Sequence, residues 1–226
     1  MGADQAIFVK FGIEVGKEGY QQLERTLPEG FPSPGGTVTY RYRRSEGDQN
    51  TLYQLGHGVF TANGLEPYTS WEEFRPVIKR GLDALWRLQP LPVSSPVWLV
   101  LRYVDVFKRH HLGEMTSPDF FRLIVGVNYD RPAAASAFPE TASQEVMRFF
   151  STRKDEEGRE LAIDVGNGIH ANEDAIVMNT VANSAAIEEP SVDDVLAQFD
   201  ILQKSSHDVF FEMVARDGDF FSRLQG

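Results

Sequence analysis

The feature that most constrains the fold is an order of segments that occurs twice along the chain. Each half begins with short segments of strand-like patterning, and one long segment with helical spacing follows them, at about 71–88 and again after Ser191. Strands that precede a helix in this way favour antiparallel sheets with helices on one face over a doubly wound fold. The sequence therefore predicts an α+β protein of two antiparallel-sheet-plus-long-helix halves, 1–112 and 113–226, with the organisation of a pseudo-duplication.

The first half contains five further segments with recognisable patterns. Ala6–Ile13 is rich in β-branched and aromatic residues, which predicts a strand, and Tyr20–Leu27 has the spacing of a short helix. Thr37–Arg44 alternates apolar and polar side chains and predicts a hairpin together with Leu52–Ala62, because turn residues separate the two runs. A strand at Val97–Val106 completes this half.

Both long helices have recognisable beginnings. Ser70 with Glu73, and Ser191 with Asp194, have the spacing at which side chains cap the first turn of a helix. Pro76 lies inside the first of these helices and is expected to bend it rather than to end it. The second helix carries one stripe at helical spacing, made of Val195, Phe199, Leu202, Ser206, Phe210 and Met213.

The second half repeats this organisation before its own long helix. Strands are predicted at Phe120–Asn128, Val146–Arg153, Glu160–Val165 and Ala175–Ala182. The boundary between the halves is predicted at 113–118, and the alanine- and proline-rich stretch 131–143 is predicted to be a mobile loop.

Composition excludes several classes of protein. The net charge of −11 provides no basic stripe for neutralising a phosphate backbone, so duplex nucleic acid is not expected as a direct partner. The longest apolar runs are far shorter than the ~20 residues of a membrane helix, and we expect a cytoplasmic protein. Because the chain contains no cysteine, thiolate metal sites and cysteine nucleophiles are excluded. No cofactor is expected.

The two halves differ in charge. Residues 1–112 carry 13 Lys+Arg and 12 Asp+Glu, whereas residues 113–226 carry 9 and 21. Charge of one sign speeds encounter with an oppositely charged partner and selects it. The sequence thus suggests a non-enzymatic protein-binding or regulatory module whose acidic half binds a basic protein, with a purely solubilising face as the alternative. The candidate partner-binding residues are Asp155, Glu156, Glu157, Glu173 and Asp174. Homo-oligomers remain open.

Part of the first half resembles a known family. The motif residues lie at 58–63, 68–76 and 101–104, with an echo near His207 and at 210–213. They resemble a sporadically distributed, uncharacterised prokaryotic family of about 250 residues, which brings no catalytic residues with it. The patchy distribution implies genes that travel horizontally, as defence, toxin–antitoxin and immunity genes do.

Two alternatives to protein binding remain. A small ligand would occupy an apolar cavity between sheet and helix. Its candidate lining residues are Tyr40, Tyr42, Phe60, Trp98, Arg102 and Phe199, with Phe149, Ile163 and Phe210 as further candidates. Arg102 is expected to form an ion pair with Asp105 or Glu72 if it is buried. The third hypothesis is a metal-dependent hydrolase, for which His110, His111 and Glu114 are weak candidate ligands because adjacent residues rarely converge on one ion.

Overall fold

The computed structural model describes residues 3–28, 34–47, 49–88, 93, 96–128 and 147–224. Two compact units are formed, the first by Met1–Val97 with Ile187–Ala197, and the second by Trp98–Ala186 with Gln198–Gly226. Each unit contains one antiparallel sheet of four strands together with helices. The prediction of an α+β fold with two antiparallel sheets is therefore confirmed.

The first unit pairs its strands in chain order. Its elements are α1 (Ala3–Gly16), β1 (Gln22–Arg25), β2 (Val38–Arg43), β3 (Thr51–Gly56), β4 (Val59–Gly64) and α2 (Trp71–Trp86). The predicted hairpin is present as β2 and β3, and the run that follows the turn divides into the two strands β3 and β4. The backbone N–H of Glu73 donates to Ser70 Oγ at the start of α2, and Pro76 lies inside that helix, as the sequence predicted.

Two predictions in the first unit are wrong. Ala6–Ile13 is part of helix α1, and Tyr20–Leu27 contains strand β1 in place of a helix. In α1, Phe8, Phe11 and Val15 form the buried face at helical spacing, but the remaining apolar residues make the segment hydrophobic all round and hide that period. Strand β1 forms because it pairs with β2, and this pairing overrides a weak local preference.

Tyrosine side chains connect the first sheet to its helices. The buried Tyr42 Oη donates to the carbonyl oxygen of Phe8 in α1 at 2.8 Å, and Tyr53 Oη donates to that of Val77 in α2 at 2.7 Å. Close packing accompanies these bonds, because a Cβ added at Gly81 of α2 would lie 2.6 Å from the Tyr53 ring. The aromatic rings therefore fill the core while their hydroxyls satisfy helix carbonyls.

The second unit does not pair its strands in chain order. The sheet order is β5-β8-β7-β6, with all neighbours antiparallel. Its elements are β5 (Val100–Phe107), α3 (Arg109–Leu112), α4 (Ser117–Phe120), a π-helical turn (Phe121–Val125), β6 (Arg148–Lys154), β7 (Glu160–His170), β8 (Glu173–Asn183), α5 (Val192–Val214) and α6 (Gly218–Leu224). Helix α5 begins in the first unit and continues from Gln198 in the second.

The capping pair and the stripe predicted for α5 are present. Asp194 N donates to Ser191 Oγ at 3.1 Å, and Ser191 N and Oγ donate to the Asp194 carboxylate. Of the stripe, Val195, Leu202 and Ser206 are fully buried. In the second unit, Val209, Phe210 and Met213 pack in one cluster with the sheet residues Val165, Ile176 and Met178.

The strand predicted at Phe120–Asn128 is wrong. Thr116 and Asp119 form a capping box that begins the short helix α4, and a π-helical turn continues it. Phe120, Phe121 and Ile124 are buried at a spacing that suits a helix, although their β-branched and aromatic neighbours suggested a strand. The loop predicted at 131–143 lies outside the described residues.

The units divide the chain differently from the predicted halves. Strand β5 was expected in the first half, but all eight of its residues pair with β8, so the division falls at Val97 and Trp98. This division moves charged residues from one part of the chain to the other: Arg102, Lys108 and Arg109 belong to the second unit, and the acidic residues at 188, 189, 193 and 194 belong to the first. Counted in this way, the units carry 10 and 12 Lys+Arg and 15 and 18 Asp+Glu. The charge difference between the halves therefore disappears when charge is counted by unit.

Candidate functional site

The second sheet has one covered face and one open face. Along β5, Leu101 and Phe107 are buried, whereas the alternating residues Val100, Arg102 and Val104 are exposed. Neighbouring strands continue this separation, because directly paired residues point to the same side of a sheet. We call the outward side chains of β5–β8, with Trp98 before them, the open face. Its members are Trp98, Val100, Arg102, Val104 and Val106; Arg148, Phe150, Thr152 and Lys154; Glu160, Ala162 and Asp164; and Val177, Asn179, Val181 and Asn183.

Large apolar side chains on the open face are unusually accessible. Val100 is 60% exposed, Val104 is 52% exposed, and Phe150 on β6 is 63% exposed. Trp98, also 63% exposed, precedes the buried Leu99, whose carbonyl oxygen accepts from Ser184 N and whose N–H donates to Ser184 Oγ. Large apolar side chains at this level of exposure on one face of a sheet are characteristic of interaction sites in soluble proteins.

Polar side chains on the open face bind one another. Arg148 forms a two-pronged contact with Asp164, Nε to Oδ1 at 2.8 Å and Nη2 to Oδ2 at 2.6 Å. This guanidinium lowers the pKa of the Asp164 carboxyl below its usual value. Arg102 Nη2 donates to Asn179 Oδ1 at 2.6 Å, in place of the expected ion pair with a carboxylate. These two contacts join four of the polar side chains, and the apolar side chains beside them remain in contact with water.

The acidic residues predicted to bind a partner lie in two turns of the second unit. Asp155, Glu156 and Glu157 lie in the turn between β6 and β7, and Glu173 and Asp174 follow the turn between β7 and β8. All five are exposed. Since β7 separates the two groups, they lie at opposite ends of the sheet, roughly 35 Å apart for a strand of this length.

Arg159 reduces the charge of the first acidic turn. Its Nε donates to Asp155 Oδ2 at 2.7 Å, and its Nη2 lies 3.0 Å from Glu157 Oε2. The first of these contacts lowers the pKa of the Asp155 carboxyl. Glu156 in this turn, and Glu173 and Asp174 at the other end of β7, form no ion pair within the described part of the chain.

The candidate metal ligands do not form a metal site in the described part of the chain. His110 and His111 are adjacent in α3, and Nδ1 of His111 accepts a hydrogen bond from the backbone N–H of Lys108 at 3.1 Å. Burial lowers the pKa of His111, and the neighbouring His110 and Lys108 lower it further. No group of three or more His, Asp or Glu side chains able to hold a metal occurs among residues 3–128 and 147–224 as far as they are described.

The residues predicted to line a ligand cavity have separate roles. Tyr42 is buried in the core of the first unit, with Tyr40 and Phe60 packed against the same cluster. Trp98 and Arg102 belong to the open face of the second unit, where both are exposed. In the first unit, therefore, these aromatic side chains form a filled core. The further candidates Phe149, Ile163 and Phe210 likewise pack against the core of the second unit, and Phe199 is half-buried in α5.

Asp105 was expected only as a possible ion-pair partner of Arg102, but the two side chains lie on opposite sides of β5. Asp105 lies on the covered side of β5, between Tyr103 and Phe107, and within the described residues its carboxylate has no hydrogen-bond or ion-pair partner. Burial raises the pKa of Asp105 to about 6.

Comparisons with known proteins give no match, whether with protein-family descriptions, with curated proteins or with solved structures. The family resemblance of residues 52–106 therefore stays a prediction. Among the described helices, none has both the length and the apolar composition that crossing a bilayer requires.

Proposed function

We propose that this protein is a non-enzymatic protein-binding module whose second unit binds a basic partner protein on the open face. One observation carries the proposal. Four large apolar side chains, each more than half exposed, share the outward side of one ordered sheet, and exposed acidic turns lie at both ends of that sheet. Protein interfaces commonly combine exposed apolar side chains with polar and charged groups in this way.

The exposed apolar side chains supply affinity in this proposal. Covering Phe150 or Trp98 would each remove on the order of 100 Å² of apolar surface from water, which is worth roughly 2–3 kcal/mol. Arg148 does not oppose this burial strongly, because two hydrogen bonds already join it to Asp164. Arg102 donates one hydrogen bond to the neutral amide of Asn179, so the partner has to supply an acceptor for its charge. Aromatic anchors of this kind commonly dominate binding free energies.

The acidic turns give this surface a preference for a basic partner protein. Since both units carry a similar net charge, the preference for a basic partner rests on the local turns and not on a wholly acidic half. Glu156, Glu173 and Asp174 would steer a basic surface toward the open face from either end of β7, mainly by raising the association rate. A basic toxin or nuclease of the defence setting that the family resemblance implies would have such a surface.

Site-specific photo-crosslinking in host cells tests the proposal. A photoreactive phenylalanine analogue at position 104 is expected to give a covalent adduct with a basic protein. The matched control carries the analogue at Val9, which is 44% exposed on α1 of the first unit. Adducts that are the same at both positions, or none at position 104, would overturn the proposal.

The identified partner then allows a quantitative test. Val104→Lys should weaken its binding by at least tenfold because a charge replaces apolar contact, whereas Val9→Lys should leave the dissociation constant unchanged. Glu156→Lys with Glu173→Lys should lower the association rate and its dependence on salt. Unchanged salt dependence would contradict the role of the acidic turns.

A further inference from the structure

The edge of the second sheet at β5 is long, and Arg102 and Asp105 are its charged residues. Within the described residues, β8 is the only strand that pairs with β5. Exposed edges are commonly protected by short strands, by lysine or by proline, because an open ladder invites another strand. β5 has eight residues and contains neither lysine nor proline. By contrast, the edge strand β1 has four residues, and Lys154 belongs to the edge strand β6.

The geometry identifies which backbone groups of β5 are available. Ser184 N donates to the carbonyl oxygen of Leu99 at 2.9 Å, so the odd-numbered residues of this ladder face β8. The even-numbered residues Val100, Arg102, Val104 and Val106 therefore direct their N–H and C=O groups toward the free edge. Their side chains belong to the open face.

We propose that this edge pairs in antiparallel fashion with the same edge of a second copy of the chain. In the register centred on Tyr103, Val100 lies opposite Val106 of the second copy, and Arg102 lies opposite Val104. Trp98 then lies opposite Lys108, where an exposed indole and an ammonium group attract one another. The pattern is self-complementary on the open face, because each apolar residue of β5 there meets an apolar residue or the stem of an arginine, and like charges do not meet. On the covered side, Leu101 lies opposite Asp105 of the second copy.

The charges of β5 favour a second copy of the chain as the partner strand, and they favour the register centred on Tyr103. The residues of β5 carry one positive and one negative charge, so the edge offers no net charge that would favour a foreign charged strand. A register shifted to place Arg102 opposite Arg102 of the second copy is disfavoured, because like charges directly opposite are destabilising. The proposed pairing forms one continuous eight-stranded sheet.

Pairing also enlarges the open face. The two copies of the row Trp98, Val100 and Val104 become neighbours across the new strand pair, at the centre of the combined outward surface. The proposal rests on the free backbone groups of β5 and does not require that the proposed function be correct. If both hold, the dimer presents the exposed apolar side chains of two β5 strands side by side.

Sedimentation equilibrium from about 1 to about 200 µM tests the pairing, since a dimer's population depends on chain concentration. The wild type is expected at twice the chain mass of 25.4 kDa. Val104→Pro should abolish the dimer by removing an edge N–H and by placing a ring against the second strand. Thr152→Pro is the matched control, because Asn167 N donates to the carbonyl oxygen of Met147, and the even-numbered residues of β6 therefore also face a free edge.

The natural absence of cysteine allows the register itself to be tested. Residues opposite one another in such a pair have Cα atoms about 5.5 Å apart, which suits a disulfide. A mixture of Val100→Cys and Val106→Cys chains should give a covalent dimer on oxidation, whereas neither variant should do so alone. A monomeric wild type, or a dimer that Val104→Pro leaves intact, would overturn the proposal. If Val104→Pro fails to fold by circular dichroism, Val104→Lys replaces it with the same expected loss.

Discussion

The two four-stranded sheets differ in the polarity and exposure of the side chains on their outward sides. In the first sheet, the outward Leu52 is only 4% exposed, and polar neighbours bind one another, with Thr61 Oγ1 donating to Gln54 Oε1 and Asn63 Nδ2 donating to Thr61 Oγ1. In the second sheet, Val104 and Phe150 are more than half exposed. A polar outward face is thus compatible with this kind of sheet, and the apolar one calls for a different explanation. We attribute it to binding, because exposed apolar surface of this extent lowers solubility unless it is covered.

The largest expected contrast between the sheets is in stability. Phe11 is fully buried beneath the first sheet, and Phe11→Ala should lower the free energy of unfolding by about 3–5 kcal/mol through lost apolar contact and the cavity left behind. Phe150→Ala removes the same group from the open face and should change it by less than about 0.5 kcal/mol. Chemical denaturation of both variants measures the difference. A large loss for Phe150→Ala would mean that this residue stabilises the fold and is not reserved for a partner.

A second prediction concerns a polar group on the covered side of each sheet. Tyr42 Oη has a carbonyl partner, but the carboxylate of Asp105 has none among the described residues. Because burial raises the pKa of Asp105 in the folded protein to about 6, the folded state should lose stability as the pH rises from about 4 through 6. A shift of this size corresponds to a loss of up to roughly 3 kcal/mol, since each unit is worth ~1.36 kcal/mol.

The Asp105→Asn variant separates the loss of stability caused by ionisation of Asp105 from other effects of pH on the protein. The variant should be more stable than the wild type at pH 7.5 and should match it near pH 4, where the native carboxyl is protonated. Denaturant unfolding at both pH values measures the difference. Asp174→Asn, at an exposed carboxylate that forms no ion pair within the described part of the chain, serves as a control for the loss of a charge. Equal stability of Asp105→Asn and wild type at pH 7.5 would contradict the burial of this carboxylate.

Local signals in the sequence were sufficient for some elements and insufficient for others. Ser70 and Ser191 marked the beginnings of both long helices, because capping requires only residues close in sequence. The membership of β5 in the second sheet depends on pairing with β8, some 76 residues away, and no local pattern reports that pairing. The open face was missed for a related reason: β5 is apolar on both sides, so its alternation does not show which side is covered.

The five acidic residues were found by composition, but their division between two ends of β7 depends on the hairpins.

The smallest expected effect concerns the ion pair between β6 and β7 on the open face. Arg148 and Asp164 are joined by two hydrogen bonds, but the arginine side chain is 72% exposed, so water competes for both groups. A double-mutant cycle with Arg148→Ala and Asp164→Ala should therefore give a coupling free energy of at most about 1 kcal/mol. In the complex with a partner, the same pair would be removed from water, and either single substitution should then cost more in binding than in stability. A coupling that is large in the free protein would show that the open face is held together by its polar pairs, which would remove its contrast with the outward side of the first sheet.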